Sequence, residues 1–266
     1  GSFYEQNGFI DAAADFEIEY LQGGFVNVRI RISEGKKYYV GRVAIIGNSI
    51  LDEEDVLHVM KEIKEGGVFS REKLTVDIAS IRTLYFDRGY IFANVDQSTS
   101  LDQQSGEVEV KINIAEGSLA YINRVDIQGN TSTRDIVVRR ELRLNPGDRF
   151  DGGKLRRSRE RLNNLGYFED VGFDIQDSDS FDKKNLVVQV KEAKTGSFSF
   201  GGGFSTVDKI VGFIEIEQRN FDFSNWPTFT GGGQDLRLRL EMGTIRRYFD
   251  LGFTDPWVFG YPVLFG

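Results

Sequence analysis

The residue types that carry most enzymatic chemistry are scarce in this chain. His58 is the only histidine and there is no cysteine, so neither a nucleophile–base pair nor a thiolate metal site can be built from the usual parts. His58 itself reads as a residue on a helix surface or boundary. Asp52, Glu53, Glu54 and Asp55 form an acidic cluster, but acidic side chains ahead of an amphipathic stretch suit a helix N-terminus. Asp177-Ser178-Asp179-Ser180-Phe181-Asp182 offers calcium-like oxygens without the glycine and closing glutamate of an EF-hand, and reads as a solvated hairpin loop. Gly201-Gly202-Gly203 lacks the following helix that a phosphate loop requires. Lys154, Arg156, Arg157, Arg159 and Arg161, with Arg139, Arg140 and Arg143 nearby, make a basic run that fits either a solvated helix face or a docking surface for a partner protein or anionic headgroups. No catalytic, metal or cofactor site is predicted, and the protein is expected not to be an enzyme.

The elements that hold these residues repeat. Val43-Ala44-Ile45-Ile46-Gly47-Asn48 recurs as Val125-Asp126-Ile127-Gln128-Gly129-Asn130. Asn7-Gly8-Phe9, Arg88-Gly89-Tyr90 and Leu165-Gly166-Tyr167 are three copies of a second signal, and Ser33-Glu34-Gly35, Ala115-Glu116-Gly117 and, more weakly, Lys191-Glu192-Ala193 are copies of a third. These spacings of about 80 residues define modules: residues 1–36 are the last part of one, 37–117 and 118–195 are complete, and 196–266 differ. Each complete module reads as a short strand, a Gly-Asn turn, a first helix near 52–65 or 132–143, a second helix starting near Ser70 or Asp151, and two strands. Leu74, Ile78, Ile81 and Tyr85 share a helical stripe. The second module has four fewer residues before its closing glycine, close to one turn of about 3.6, so its helix shortens with its apolar face nearly preserved. Val108, Val110, Ile112 and Ile114 alternate with Glu107, Glu109, Lys111 and Asn113, and the series Val26–Ile32 and Leu186–Val190 repeat the pattern: one sheet face buried, one wet. The class is α+β, with two helices on one face of a three-stranded mixed sheet.

A formal charge of -8 argues against a nucleic-acid footprint. The 30 glycines and 22 phenylalanines, against 4 prolines, lean towards β structure. No apolar run approaches the roughly 18 residues of a membrane helix. The start, Gly1-Ser2-Phe3-Tyr4, reads as the inside of an element, so the lack of a signal peptide carries no information about export. After Gly196 the strands lengthen. Phe198, Phe200 and Phe204 share one face, with Ser199, Gly201, Gly203 and Ser205 opposite; something must approach that bare face closely, or the strand bends or pairs weakly there. Leu236, Leu238, Leu240 and Met242 alternate with Arg237, Arg239 and Glu241, and Phe249, Leu251 and Phe253 with Tyr248, Asp250 and Gly252. One apolar and one charged face fit a membrane β-barrel, with Trp226, Trp257, Phe259 and Tyr261 at strand ends as an aromatic girdle; an ordinary soluble antiparallel sheet fits the same alternation. These few strands cannot close a barrel.

The βααββ module, with its Gly-Asn turn and late Gly-Tyr, resembles the POTRA domain. Val138-Arg139-Arg140-Glu141-Leu142, then Leu162-Asn163-Asn164-Leu165-Gly166-Tyr167-Phe168, then Lys194-Thr195-Gly196-Ser197-Phe198-Ser199-Phe200-Gly201, resemble the last POTRA domain and first barrel strand of BamA-type outer-membrane protein assembly factors; Phe253-Thr254-Asp255-Pro256-Trp257 resembles a turn of that barrel. Residues 225–230 lengthen an early hairpin and depart from the family pattern. The resemblance implies POTRA domains in the bacterial periplasm, an outer-membrane barrel in lipid, no cofactor, and as partners unfolded outer-membrane proteins and accessory lipoproteins, with no nucleic acid. It implies client capture by strand addition at sheet edges, expected over 9–20 and 90–99 at Phe16, Ile18, Tyr20, Tyr90 and Phe92, side chains that equally fit the filling of the module's core; accessory-protein docking at Arg139, Arg140, Glu141 and Arg143; and a first-strand gate at Phe198, Phe200, Gly201, Gly203 and Phe204. A related POTRA–barrel protein for secretion or autotransporter assembly, or a soluble periplasmic interaction scaffold, fits the same residues.

Overall fold

The structure, a computed structural model, describes residues 2–20, 23–206, 209–258 and 261–266. Its contacts divide it into two units, residues 1–120 with 149–152 and residues 121–148 with 153–266.

In the first unit, α1 (Ser2–Gln6) leads to an antiparallel pair, β1 (Ala13–Tyr20) and β2 (Val26–Ser33). Phe16 faces Ile30, Ile18 faces Val28 and Tyr20 faces Val26, so the apolar side chains share one face, and all of them are exposed. A complete module follows: β3 (Tyr39–Ile46), α2 (Glu53–Val59), α3 (Arg71–Asp87), β4 (Asn94–Asp102) and β5 (Glu107–Ala115). Its sheet order is β3-β5-β4, with β5 parallel to β3 and antiparallel to β4. The helical crossover delivers β4 running opposite to β3, and the hairpin then brings β5 back parallel to β3. Val108, Val110, Ile112 and Ile114 form one core with Leu74, Ile78, Ile81 and Tyr85, as alternation on the strand and the helical stripe predict.

The second unit repeats this with β6 (Tyr121–Gln128), α4 (Asp135–Arg139), α5 (Gly152–Leu165), β7 (Phe168–Asp177) and β8 (Lys183–Glu192), in sheet order β6-β8-β7. The shorter second helix is real: 14 residues in α5 against 17 in α3. The first helices are shorter than 52–65 and 132–143 predict. The cause is the same position of the second helix in each module. Asp77, buried in α3, accepts the amides of Lys61, Glu62 and Ile63 at 2.7–3.2 Å, and Ser158, buried in α5, accepts that of Arg143 at 2.9 Å. Those N–H groups are turned away from the helical ladder, so the helix stops.

The Gly-Asn repeat has an equally local cause. Gly47 and Gly129 take φ near +90°, and a Cβ on either would overlap a strand carbonyl, that of Ile114 or Val190. Just beyond each turn the chain is held by the repeated glutamate. Glu116 accepts from Ser49 Oγ (2.5 Å), the Ile50 amide (2.9 Å) and the Tyr85 hydroxyl (2.8 Å). Glu192 accepts from Thr131 Oγ1 (2.7 Å) and the amides of Ser132 (3.0 Å) and Thr133 (2.6 Å).

Strands β9 (Gly196–Ser205), β10 (Lys209–Phe221), β11 (Gln234–Gly243) and β12 (Arg247–Thr254) form an antiparallel sheet in the order β12-β11-β10-β9. Register aligns apolar rows across it: Phe198–Ile216–Leu238–Leu251 and Phe200–Ile214–Leu240–Phe249. The opposite face aligns charges, with Arg239 bonded to Glu215 (2.9 Å) and Arg237 to Asp250 (2.8 Å). The bare face of β9 is filled from β10. Phe213 lies over Gly201, where a Cβ would come within 2.7 Å of its ring, and the Arg239 guanidinium stacks on that ring at 4.8 Å. No described helix is long and apolar enough to cross a membrane, which leaves the strands unaddressed.

Burial opposes ionisation of Glu116, but its hydrogen bonds from Ser49, Ile50 and Tyr85 outweigh that and hold the carboxyl below its ordinary range. Its contribution is therefore complete above the ordinary glutamate pKa and is lost as pH falls through the lowered folded value. Glu116→Gln is expected to cost about 2 kcal/mol at neutral pH and to flatten the acid limb of the first unit's stability, read by urea unfolding across pH; an unchanged acid limb contradicts the anchor.

Candidate functional site

Among the described strands, β1, β2, β9 and β12 are exposed on an apolar face and open at an edge, and β9 is the one that starts directly after a complete module. Strand β9 follows β8 after three residues and pairs with β10 alone among the described strands. Its other edge leaves ladder N–H and C=O groups free to take a further strand. Phe198, Phe200 and Phe204 are all strongly exposed on one face. The entry to β9 is pinned: the Ala193 amide donates to Tyr167 O (2.8 Å), the Arg219 amide to Thr195 O (3.0 Å) and Gln218 Nε2 to Thr195 Oγ1 (2.8 Å).

A second, polar contact fixes the sheet to the module before it. The β10–β11 loop, 222–233, folds onto residues 132–140. Asn220, buried, receives Gly233 N on its Oδ1 and donates Nδ2 to Thr133 Oγ1, both at 2.9 Å. Arg134 pairs with the buried Asp222 at 2.5 Å, bonds Ser224, and its amide donates to Gly231 O (3.0 Å). The triple glycine 231–233 is required: a Cβ on Gly231 would overlap the Ser132 carbonyl, and one on Gly233 the Arg140 guanidinium. Arg140 sits over the Trp257 ring at 5.2 Å, and neither its Nε nor its Nη2 makes a hydrogen bond among the described residues. Burial, partly offset by Glu141, lowers the pKa of Arg140.

These contacts correct part of the predicted docking set. Arg140 and Glu141 are buried inside this unit, Glu141 bonded to Arg161 at 2.8 Å, because their partners lie across the fold rather than in solvent. Arg143 is exposed, and Arg139 is half-exposed, bonded to Asp135 (3.2 Å) and Val125 O. Of the predicted edge residues, Phe16, Ile18 and Tyr20 lie on β1 and are exposed. Tyr90 and Phe92 are not on a strand: both lie in the turn before β4, and Tyr90 packs on Tyr85 and the core. The ladder groups of that edge belong to Asn94–Asp102 of β4, one of the sheet's two outer strands. Trp226, Trp257 and Tyr261 lie in loops just beyond strand ends, and the Arg140 guanidinium lies over the Trp257 ring; Phe259 lies outside the described residues. Asp52–Asp55 cap and open α2, His58 lies in its last turn, and Asp177 pairs with Lys184 at 2.5 Å. Thr133, Arg134, Asn220, Asp222 and the glycines 231–233 were not anticipated; the triple glycine after the lengthened hairpin was the available signal.

Gly231→Ala is expected to force the loop off Ser132 and break its bonds to Arg134 and Asn220. Hydrogen–deuterium exchange should rise at Arg134 and across 222–233 while the first unit stays protected; unchanged protection there contradicts the clamp.

Comparison with known proteins agrees with this geometry. The family model described as POTRA, surface antigen variable number repeat, matches residues 38–117 and 120–193. The chain is 32% identical over 264 residues to the outer membrane protein assembly factor BamA of Nitratidesulfovibrio vulgaris, covering 98% of this chain and 32% of that one. It is 29% identical over 258 residues to BamA of Neisseria meningitidis serogroup B, covering 96% and 31%. It thus spans about a third of the length of these curated relatives. Among solved structures it is similar to BamA from Haemophilus ducreyi lacking POTRA domains 1–3, with a TM-score of 0.73, 24% identity, and coverage of 85% of this chain and 41% of that one. With the family model matching more than half of its residues, the chain belongs to the POTRA family.

Proposed function

We propose that this chain is the membrane-proximal part of an outer-membrane protein assembly factor: periplasmic POTRA modules joined directly to the first strands of a barrel in the outer membrane. The observation that carries the reading is β9, a strand with an exposed phenylalanine face and a free edge, starting three residues after the last module. The work is binding and strand pairing rather than turnover. An unfolded outer-membrane protein is the substrate, and its strand adds to the open edge of β9, with Gly201 and Gly203 keeping the pairing light enough to exchange. The edge of β4, from Asn94 to Asp102, holds extended client segments on the periplasmic side, where its polar side chains discourage self-association. The apolar rows on β9–β12 face lipid, and the Glu215–Arg239 and Arg237–Asp250 pairs face the aqueous interior. Arg139 and Arg143, the accessible part of the basic group, are where an accessory lipoprotein would dock.

The test uses the full-length protein in lipid vesicles during assembly of an unfolded outer-membrane β-barrel protein. A photoreactive residue at Ser199 of β9 is expected to capture the client, whereas one at Leu238 of β11, an interior strand, captures none. Absence of capture at Ser199, or equal capture at both, contradicts the reading.

A further inference from the structure

The β10–β11 loop has two sides. Its polar groups, at Asp222, Gly231 and Gly233, bind the last module; its aromatic residues belong to a separate continuous cluster. Phe253, paired with Leu236 on the apolar face of the sheet, meets Phe221 with ring centroids 6.5 Å apart. Phe221 stacks on Phe229 at 6.0 Å with planes 18° apart, and Phe229 meets the edge of Trp226 at 5.2 Å. Phe223 meets Phe221 at 6.4 Å. A continuous chain of rings thus runs from the apolar sheet face into the loop. Its inner member, Phe221, is buried, but its outer members are not: Phe223 is 80% exposed and Trp226 77% exposed.

Rings of this size, rigidly backed and left open, do not suit water. An indole with an apolar body and an N–H handle suits the headgroup zone at the end of a lipid-facing surface. We infer that residues 221–229 form an aromatic foot seated in the headgroup region of the leaflet nearest the POTRA modules, with Phe223 and Trp226 as its inserted side chains. The occupant is lipid because the ring chain is continuous with the apolar rows of β9–β12; the inference rests on reading those rows as lipid-facing. Since the same loop is clamped through Asn220, Arg134 and Gly231, the foot seats the last module on the bilayer surface as well as on the sheet.

The test places a nitroxide at Trp226→Cys, Leu251→Cys or Gln104→Cys in the full-length protein, freed of other cysteines, in phosphatidylcholine vesicles. Collisions with oxygen and with a water-soluble nickel chelate are measured. The label at 226 is expected to meet the chelate several-fold less than the label at 104 in the exposed β4–β5 turn, more than the label at 251, and to meet oxygen freely. Chelate access at 226 equal to that at 104, with 251 still shielded, overturns the foot and leaves the lipid-facing sheet standing. Low access of both reagents at 226 means protein cover and overturns lipid as the occupant. Chelate access at 251 equal to that at 104 overturns both the foot and the reading it rests on.

Discussion

Contiguous rows of large apolar side chains outside a core call for something other than water to meet them, and β9–β12 carry two such rows. Phe198, Phe200, Phe204, Ile210, Phe249 and Leu251 are all largely exposed, and each would forgo about 2 kcal/mol in water. The opposite face aligns Glu215 with Arg239 and Arg237 with Asp250, so only the apolar face of the sheet is fit to leave water. Strict alternation ties the two faces together, because a register slip of one residue would exchange them. This two-faced sheet sets the terms for everything attached to it.

The attachment is polar and depends on small residues. In each complete module a glycine that cannot carry a Cβ lets the turn pass a strand carbonyl, and a glutamate gathers the amides or hydroxyls just beyond it. In the last module that same stretch, residues 131–134, is also where the β10–β11 loop lands, through Thr133, Arg134 and the Ser132 carbonyl. Glu192 therefore orders the surface on which the β10–β11 loop lands. Burial works against its ionisation, yet the bonds from Thr131, Thr133 and Ser132 hold its carboxyl below the ordinary range, so the surface is ordered with a charge present. One repeated device thus serves the fold in the first unit and the joint in the second.

Period-two and helical patterns made the modules, their sheets and the two faces of β9–β12 legible, because each depends on side chains close in sequence. What escaped depends on distant partners. Glu116 and Glu192 are visible in the sequence as a repeat, but their role lies in hydroxyls and amides up to 67 positions away. Arg140 and Glu141 looked like surface charge, since nothing nearby in sequence reveals Arg161 or Trp257 beside them. Tyr90 and Phe92 fall in the segment expected as a sheet edge, whereas packing on Tyr85 holds Tyr90 in the turn before it. The first helices were read too long because Asp77 and Ser158 withdraw amides from them across the module.

For the proposed function, the edge of β9 must part from the strand that closes the barrel against it before a client strand can pair there. The most direct measurement uses the full-length protein with a cysteine at Ser199 and another facing it on the strand that closes the barrel against β9. Client assembly in lipid vesicles is timed with the pair oxidised and then reduced. The account predicts that assembly stops when the pair is joined and returns on reduction; assembly at the same rate in both states would contradict it.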